Sequence, residues 1–200
     1  MQEANHKTKC PVKANEIYSV SIHGLGHAGE GVGRIQDFTV FVADAIPGDE
    51  ALVRVEEVRK TFARGKVVEI KSPSPHRIRS DCPISEACGG CQLRHMAYGA
   101  QLEWKRQTVV DALTRIGKFK GPNVQPVIGM ENPNGYRNKV HFPAGIVRGH
   151  LALGFYKRGT HALVPVNDCI NAYPLCNDAK NAVEELLNKY RIPPYNGRTR

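Results

Sequence analysis

The sequence predicts a mainly β chain with an α+β part. A small five-stranded barrel comes first, then a cysteine-bearing segment plus a helix, then an incomplete α+β region. Three observations carry this. Residues 13–72 contain five short strand-like runs, punctuated by Gly and Pro, with no helical period. Ser72-Pro73-Ser74-Pro75 then breaks the chain, and three of the six cysteines follow in one short window. Beyond them, two helix-like stretches enclose a strand-rich one.

Residues 1–12 are mostly polar and are expected to be a flexible N-terminus. In the barrel, Glu16–Ile22, Val32–Ile35, Phe38–Val42, Leu52–Val58 and Gly65–Ile70 read as strands, with a turn at Ala45–Asp49. Five short strands in one compact stretch point to a small barrel of the OB type. Gly24-Leu-Gly26-His-Ala-Gly29 satisfies G-x-G-x-x-G, but a nucleotide loop needs a helix to begin there. Glu30-Gly31-Val32-Gly33 follows instead, and two more glycines disfavour a helix, so this is a turn.

Residues 73–96 form the cysteine segment and 97–200 a central α+β region. Residues 97–116 read as a helix with Leu102, Val109, Leu113 and Ile116 on one face, stopped by Gly117. Lys139–Val147 and Leu151–Tyr156 read as strands around an Arg148-Gly149-His150 turn. Asn177–Tyr190 reads as a second amphipathic helix with Ala182, Val183, Leu186 and Leu187 as its apolar side.

Cys82, Cys88 and Cys91 share the window Cys82-x5-Cys88-Gly89-Gly90-Cys91. Two residues between Cys88 and Cys91 let both thiolates face one ion, and the glycines permit the unusual backbone angles of such a knuckle. Cys169 and Cys176 are the candidates for a fourth ligand. Zinc sites usually pair two short knuckles, and ferredoxin clusters use a denser run. The spacing fits neither, so it leaves zinc and an iron–sulfur cluster open.

The start lacks the apolar stretch of a secretory signal, and no apolar run approaches membrane-helix length. A soluble, cytoplasmic, monomeric protein in a reducing compartment is expected, with no membrane partner. With 28 Lys+Arg against 19 Asp+Glu, the formal charge is +9. That balance points to a polyanion partner, most often nucleic acid. Residues 1–72 hold ten of each sign, so the whole excess lies in 73–200.

These pieces together resemble the RNA uracil-C5 methyltransferase family, in particular the enzymes acting on 23S ribosomal RNA. The barrel resembles its N-terminal TRAM domain through Gly29-Glu-Gly-Val-Gly33, Val40-Phe-Val42, Pro47-Gly-Asp49 and the exit Pro73-Ser-Pro75. The likeness continues through the cysteine window, His95, Tyr98, Gln101-Leu-Glu-Trp-Lys105, Gly135-Tyr-Arg-Asn-Lys139, Gly154–His161 and Val164-Pro-Val-Asn-Asp-Cys169.

The resemblance implies a [4Fe–4S] cluster on Cys82, Cys88, Cys91 and Cys169, with Cys10 and Cys176 as ordinary thiols. It implies 23S rRNA, at a single-stranded or loop uridine, as partner and 5-methyluridine as product. In the family a cysteine thiolate adds to uracil C6, C5 takes the methyl of S-adenosylmethionine, and a base removes the C5 proton. The Rossmann-like methyltransferase domain carrying those residues is not recognisable here. No catalytic residue and no S-adenosylmethionine ligand is therefore assigned, and the chain is expected to be inactive alone.

RNA contacts are expected from Phe62, Arg64, Arg77, Arg94, Lys105, Arg106, Arg137, Lys139, Lys157 and Arg158. Tyr18, Phe38 and Phe41 are further stacking candidates, with Phe41 reading as core. The other reading is a free-standing, non-catalytic RNA-binding iron–sulfur protein. An electron carrier is disfavoured by the single cluster motif.

Overall fold

The strand-forming runs of residues 13–72 close into a barrel in the computed structural model, which describes residues 10–195. The strands are β1 (Ile17–Leu25), β2 (Gly31–Ile35), β3 (Phe38–Ala43), β4 (Glu50–Val58) and β5 (Phe62–Ser72). Their order around the ring is β1-β2-β3-β5-β4, antiparallel except for the parallel pair β3–β5. This is the five-stranded OB arrangement the sequence predicts. Alternate residues point inward: Val20 and Ile22, Val40 and Val42, Val53 and Val55 are at most 3% exposed. Gly65 lets β5 cross this core, because a Cβ there would stand 2.6 Å from Val53 Cγ1 and 2.7 Å from the Arg54 carbonyl.

The segment between β1 and β2 is a turn, as expected. The Gly26 amide donates to the Glu30 carbonyl (2.7 Å) and the Gly29 amide to that of Gly26 (3.0 Å). Residues 1–9 of the expected flexible N-terminus lie outside the described residues. Its last residue, Val12, is only 3% exposed and packs into the barrel core, so the domain begins earlier than position 13.

The chain divides into two units. One comprises residues up to 79 together with 95–108; the other comprises 80–94 and 109 onward. In the first, the Pro47-Gly48-Asp49 turn buries a carboxylate. Asp49 is fully buried and accepts the amides of Ile46 (2.8 Å) and Ser74 (2.9 Å). It also accepts Arg77 Nε (2.9 Å) and Nη2, while the same Nη2 reaches the Asp44 carbonyl at 2.9 Å. The Pro-Ser-Pro exit is thereby clipped to the barrel. Residues 76–78 then pair with 95–97: Ile78 N–H donates to His95 O (3.0 Å) and Ala97 N–H to His76 O (2.9 Å). The two ends of the cysteine segment are thus held together.

Helix α1 (Tyr98–Asp111) continues into a π-helical turn (Ala112–Ile116), closed by Gly117 N–H on the Ala112 carbonyl at 3.0 Å. The expected buried stripe is not found: no α1 residue is buried, Val109 is 47% exposed and Ile116 83%. Ala100, Trp104 and Val110 place apolar surface on other sides, so no single face concentrates it.

The second unit holds a sheet of β6 (Ala144–Val147), β7 (His150–Tyr156) and β8 (Leu163–Pro165), followed by helix α2 (Pro174–Lys189). The strand expected from Lys139 begins only at Ala144, and His150 belongs to β7. The turn is made by Arg148 and Gly149, both at positive φ. Strand β7 pairs with β6 through its first half and with β8 through its second.

The other edge of that first half is completed by side chains of α2. Asn188 Oδ1 accepts Leu151 N–H (3.1 Å) and its Nδ2 donates to Leu151 O (2.9 Å). Glu184 Oε2 accepts Leu153 N–H (3.1 Å). Lys180, 5% exposed, donates to the Val166 carbonyl (2.6 Å) and to Glu184 (3.0 Å). The helix therefore turns its polar row inward and leaves Val183 and Leu186 about half exposed. This reverses the orientation that its apolar side suggested. An unpaired strand edge needs donors and acceptors, which leucines cannot supply. Asn188→Ala is expected to cost about 1–3 kcal/mol, because both backbone groups of Leu151 lose their partners. Urea unfolding of the full chain checks this.

Candidate metal centre

Cys82, Cys88, Cys91 and Cys169 line one hollow in the second unit, and all are half-buried and free of disulfides. Local hydrogen bonding shapes the first three. Ser85 N–H bonds Cys82 O (3.2 Å) and Cys88 N–H bonds Ile84 O (2.8 Å), curling the five-residue arm into a turn. Gly89 N–H then docks on the Tyr156 carbonyl at the end of β7 (3.0 Å). A Cβ on Gly89 would lie 2.8 Å from that oxygen, so the approach requires glycine. The next amide, of Gly90, donates to Cys88 Sγ at 3.3 Å.

The remote cysteine is fixed by α2. Asn177, 8% exposed, accepts Cys169 N–H on Oδ1 (3.0 Å) and donates Nδ2 to Cys169 O (3.2 Å). On the opposite side, Asn171 Nδ2 donates to Cys91 Sγ at 3.2 Å. Cys176 does not line the hollow; its thiol reaches the Asn138 carbonyl at 3.6 Å. Cys10 is exposed.

The thiols feel one another. Burial pushes the Cys88 thiol up, the Gly90 amide opposes this, and Cys82 and Cys169 raise it further. For Cys91, burial again leads the upward shift, followed by repulsion from Cys169 and Cys88, with Arg94 pulling the other way. The four sulfurs are soft donors lining one hollow. Among the described residues, no three His, Cys, Asp or Glu side chains form a group that could hold a metal ion.

One expected RNA contact lines this hollow and two others touch the backbone of its cysteines. Arg137 lines it, Lys157 pairs with Cys88 through an isolated β-bridge, and Arg158 Nη2 lies 3.4 Å from the Cys91 carbonyl. All three are exposed, as is Lys139. Lys105 is exposed on α1, and Arg106 bonds Glu103 at 3.2 Å.

Two expected RNA contacts are internal instead. Arg77 is held by Asp49 as described. Arg94, with 16% of its side chain exposed, bonds Asp81 (2.9 Å), Asn134 (2.8 Å) and Asn171 (3.1 Å). Both guanidinium groups are committed to these partners, with 20% and 16% of the Arg77 and Arg94 side chains exposed. Phe62 opens β5 rather than lying in a loop. It packs edge-on against Phe41 at 5.5 Å, with the Arg64 guanidinium 5.8 Å from its ring centroid. Arg64 is also paired with Glu30 at 3.5 Å. Tyr18 and Phe38 pack against the barrel core.

Sequence reasoning missed Asn171 and Asn177, which hold two of the four cysteines. The one available signal was their closeness to Cys169, at two and eight positions.

A TRAM domain profile matches residues 11–68. An uncharacterised RNA methyltransferase of Caldanaerobacter subterraneus subsp. tengcongensis is 44% identical over 184 residues, which are 92% of this chain and 40% of that protein. One from Clostridium tetani is 41% identical over 189 residues, 94% of this chain and 41% of the relative. The chain thus spans about two-fifths of the length of the curated relatives it matches. Among solved structures, the tRNA (uracil-54, C5)-methyltransferase of Pyrococcus abyssi, in complex with S-adenosyl-L-homocysteine, superposes with a TM-score of 0.62 at 25% identity. That match covers 90% of this chain and 39% of the other. Among the described residues no helix is long and apolar enough to cross a membrane.

Proposed function

From its TRAM match and its similarity to proteins named RNA methyltransferases, we propose that the chain is the RNA-holding, cluster-bearing portion of a 23S rRNA uracil-C5 methyltransferase. The methyl-transfer residues and the S-adenosylmethionine site belong to a further, Rossmann-like domain, and the work of this portion is to bind and present a single-stranded or loop uridine. Homology to proteins named as RNA methyltransferases supports the enzyme class. The TRAM barrel supports RNA binding.

The observation that carries the reading is the hollow itself: four thiols and Arg137 line it, Lys157 is bridged to Cys88 through the backbone, and Arg158 bonds the Cys91 carbonyl. Four thiolates suit a [4Fe–4S] cluster, held by Cys82, Cys88, Cys91 and Cys169. Such a group would supply a rigid cross-link between the segment 82–91 and the strand end before α2. The thiolate-addition route to 5-methyluridine needs no redox electron transfer, so the cluster serves structure. The surrounding cations offset its negative charge and extend outward to phosphate. The barrel, formally neutral over residues 1–72, contributes shape and the Phe41–Phe62 aromatic pair.

Arg137→Glu with Lys139→Glu is expected to weaken binding of a uridine-rich single-stranded RNA and to flatten its salt dependence. Loss of two phosphate contacts lowers the slope of log K against log salt by about 1.4. Filter binding at several salt concentrations reads both quantities. Unchanged affinity and slope would remove these residues from the RNA surface.

A further inference from the structure

Cys91 receives a side-chain hydrogen bond on its sulfur, from Asn171 Nδ2 at 3.2 Å. Asn171 is 7% exposed, and its Oδ1 accepts Arg94 Nη1 at 3.1 Å. This fixes the amide's direction. A guanidinium only donates, so the oxygen of Asn171 must face Arg94 and its NH2 must face the sulfur. Arg94 is itself aimed from two sides, by Asn134 Oδ1 at 2.8 Å and Asp81 Oδ2 at 2.9 Å. Its Nε is buried without a hydrogen-bond partner among the described residues. The chain of contacts runs from a full positive charge, through a polarised amide, to a ligand sulfur.

We propose that Arg94 and Asn171 form a positioning relay for Cys91, holding its sulfur toward the hollow and withdrawing negative charge from it once metal is bound. The inference rests on the metal-binding reading of the four cysteines. Hydrogen bonds to cluster sulfurs favour the more negative, reduced state and so raise the reduction potential. A cation behind the amide strengthens the donor. By restraining where the Cys91 sulfur sits, the same hydrogen bond would also slow loss of a bound metal.

Asn171→Asp keeps an acceptor for Arg94 and removes the donor to sulfur. Asn171→Leu removes both, and Arg94→Lys keeps the charge while losing the fork that orients the amide. Each is prepared anaerobically as the full chain, with iron and sulfide counted. The midpoint potential and the rate of metal loss to a chelator are then measured. The expected result is a wild-type iron content with a more negative potential in both Asn171 variants, furthest in Asn171→Asp. A smaller shift in the same direction is expected for Arg94→Lys. Metal loss is expected to be several-fold faster in all three. Unchanged potential and chelation rate in iron-loaded variants would overturn the relay while leaving the cluster reading intact. Zinc in the wild-type protein would overturn the cluster reading alone, because the chelation rates still read the relay. Should Asn171→Leu fail to fold, Asn171→Asp and Arg94→Lys decide the matter.

Discussion

Asp49→Ala is expected to destabilise the protein by about 3–5 kcal/mol, the effect of leaving one partner of a buried ion pair uncompensated. The carboxylate is fully buried and satisfied by two amides and the Arg77 guanidinium. Truncation strands all of these donors and unclips the Pro-Ser-Pro exit from the barrel. Urea unfolding of the full chain measures it, and a change under 1 kcal/mol would contradict the assignment. Asp49→Ala combined with Arg77→Met is expected to recover part of the loss, since a charge without a partner is then no longer buried. The pair also sets a pH dependence. Burial alone would raise the Asp49 carboxyl, but the Arg77 hydrogen bonds and the Ser74 and Ile46 amides outweigh it and hold it below the usual carboxylate range. The clip therefore stabilises the fold above the ordinary carboxylate range. Its contribution disappears as pH falls through that range toward the lowered folded value.

Cys169→Ser is expected to remove both the visible absorbance and a large share of the stability. Cys169 is distant in sequence from Cys82, Cys88 and Cys91. A metal group joining them closes a loop nearly 80 residues long, and by chain-closure arithmetic such a link is worth about 4–5 kcal/mol. Serine keeps the shape but not the soft thiolate donor. Cys176→Ser is the matched control, because that sulfur lies outside the hollow. A Cys169→Ser protein that has lost its metal yet unfolds at the wild-type temperature would show that the cross-link does no structural work.

The barrel was legible because its strands obey a period of two between strong turn residues. Even so, β1 runs past Ile22 to Leu25 through an irregularity in its register with β2, which apolar alternation does not signal. Helix α2 was legible in position but not in orientation. Its apolar side suggested the buried face, yet the edge of β7 demanded hydrogen-bonding side chains, and only the assembled sheet reveals that demand. The same logic applies to two arginines of the expected RNA set. Arg77 and Arg94 look like any other basic residue until Asp49 and Asn171, far off in sequence, are folded against them. The cysteines were different. Their type and spacing limited the choice of chemistry, and the family resemblance selected Cys169, which the fold brings to the same hollow as the other three.

The most direct test of the account is the metal content of the unaltered chain. Protein purified without oxygen is expected to be brown and to carry about four iron and four sulfide per chain, with near-ultraviolet and visible absorbance that vanishes on oxidation. A colourless protein holding one zinc, or one whose four cysteines all react freely with a thiol reagent at full stability, would contradict it.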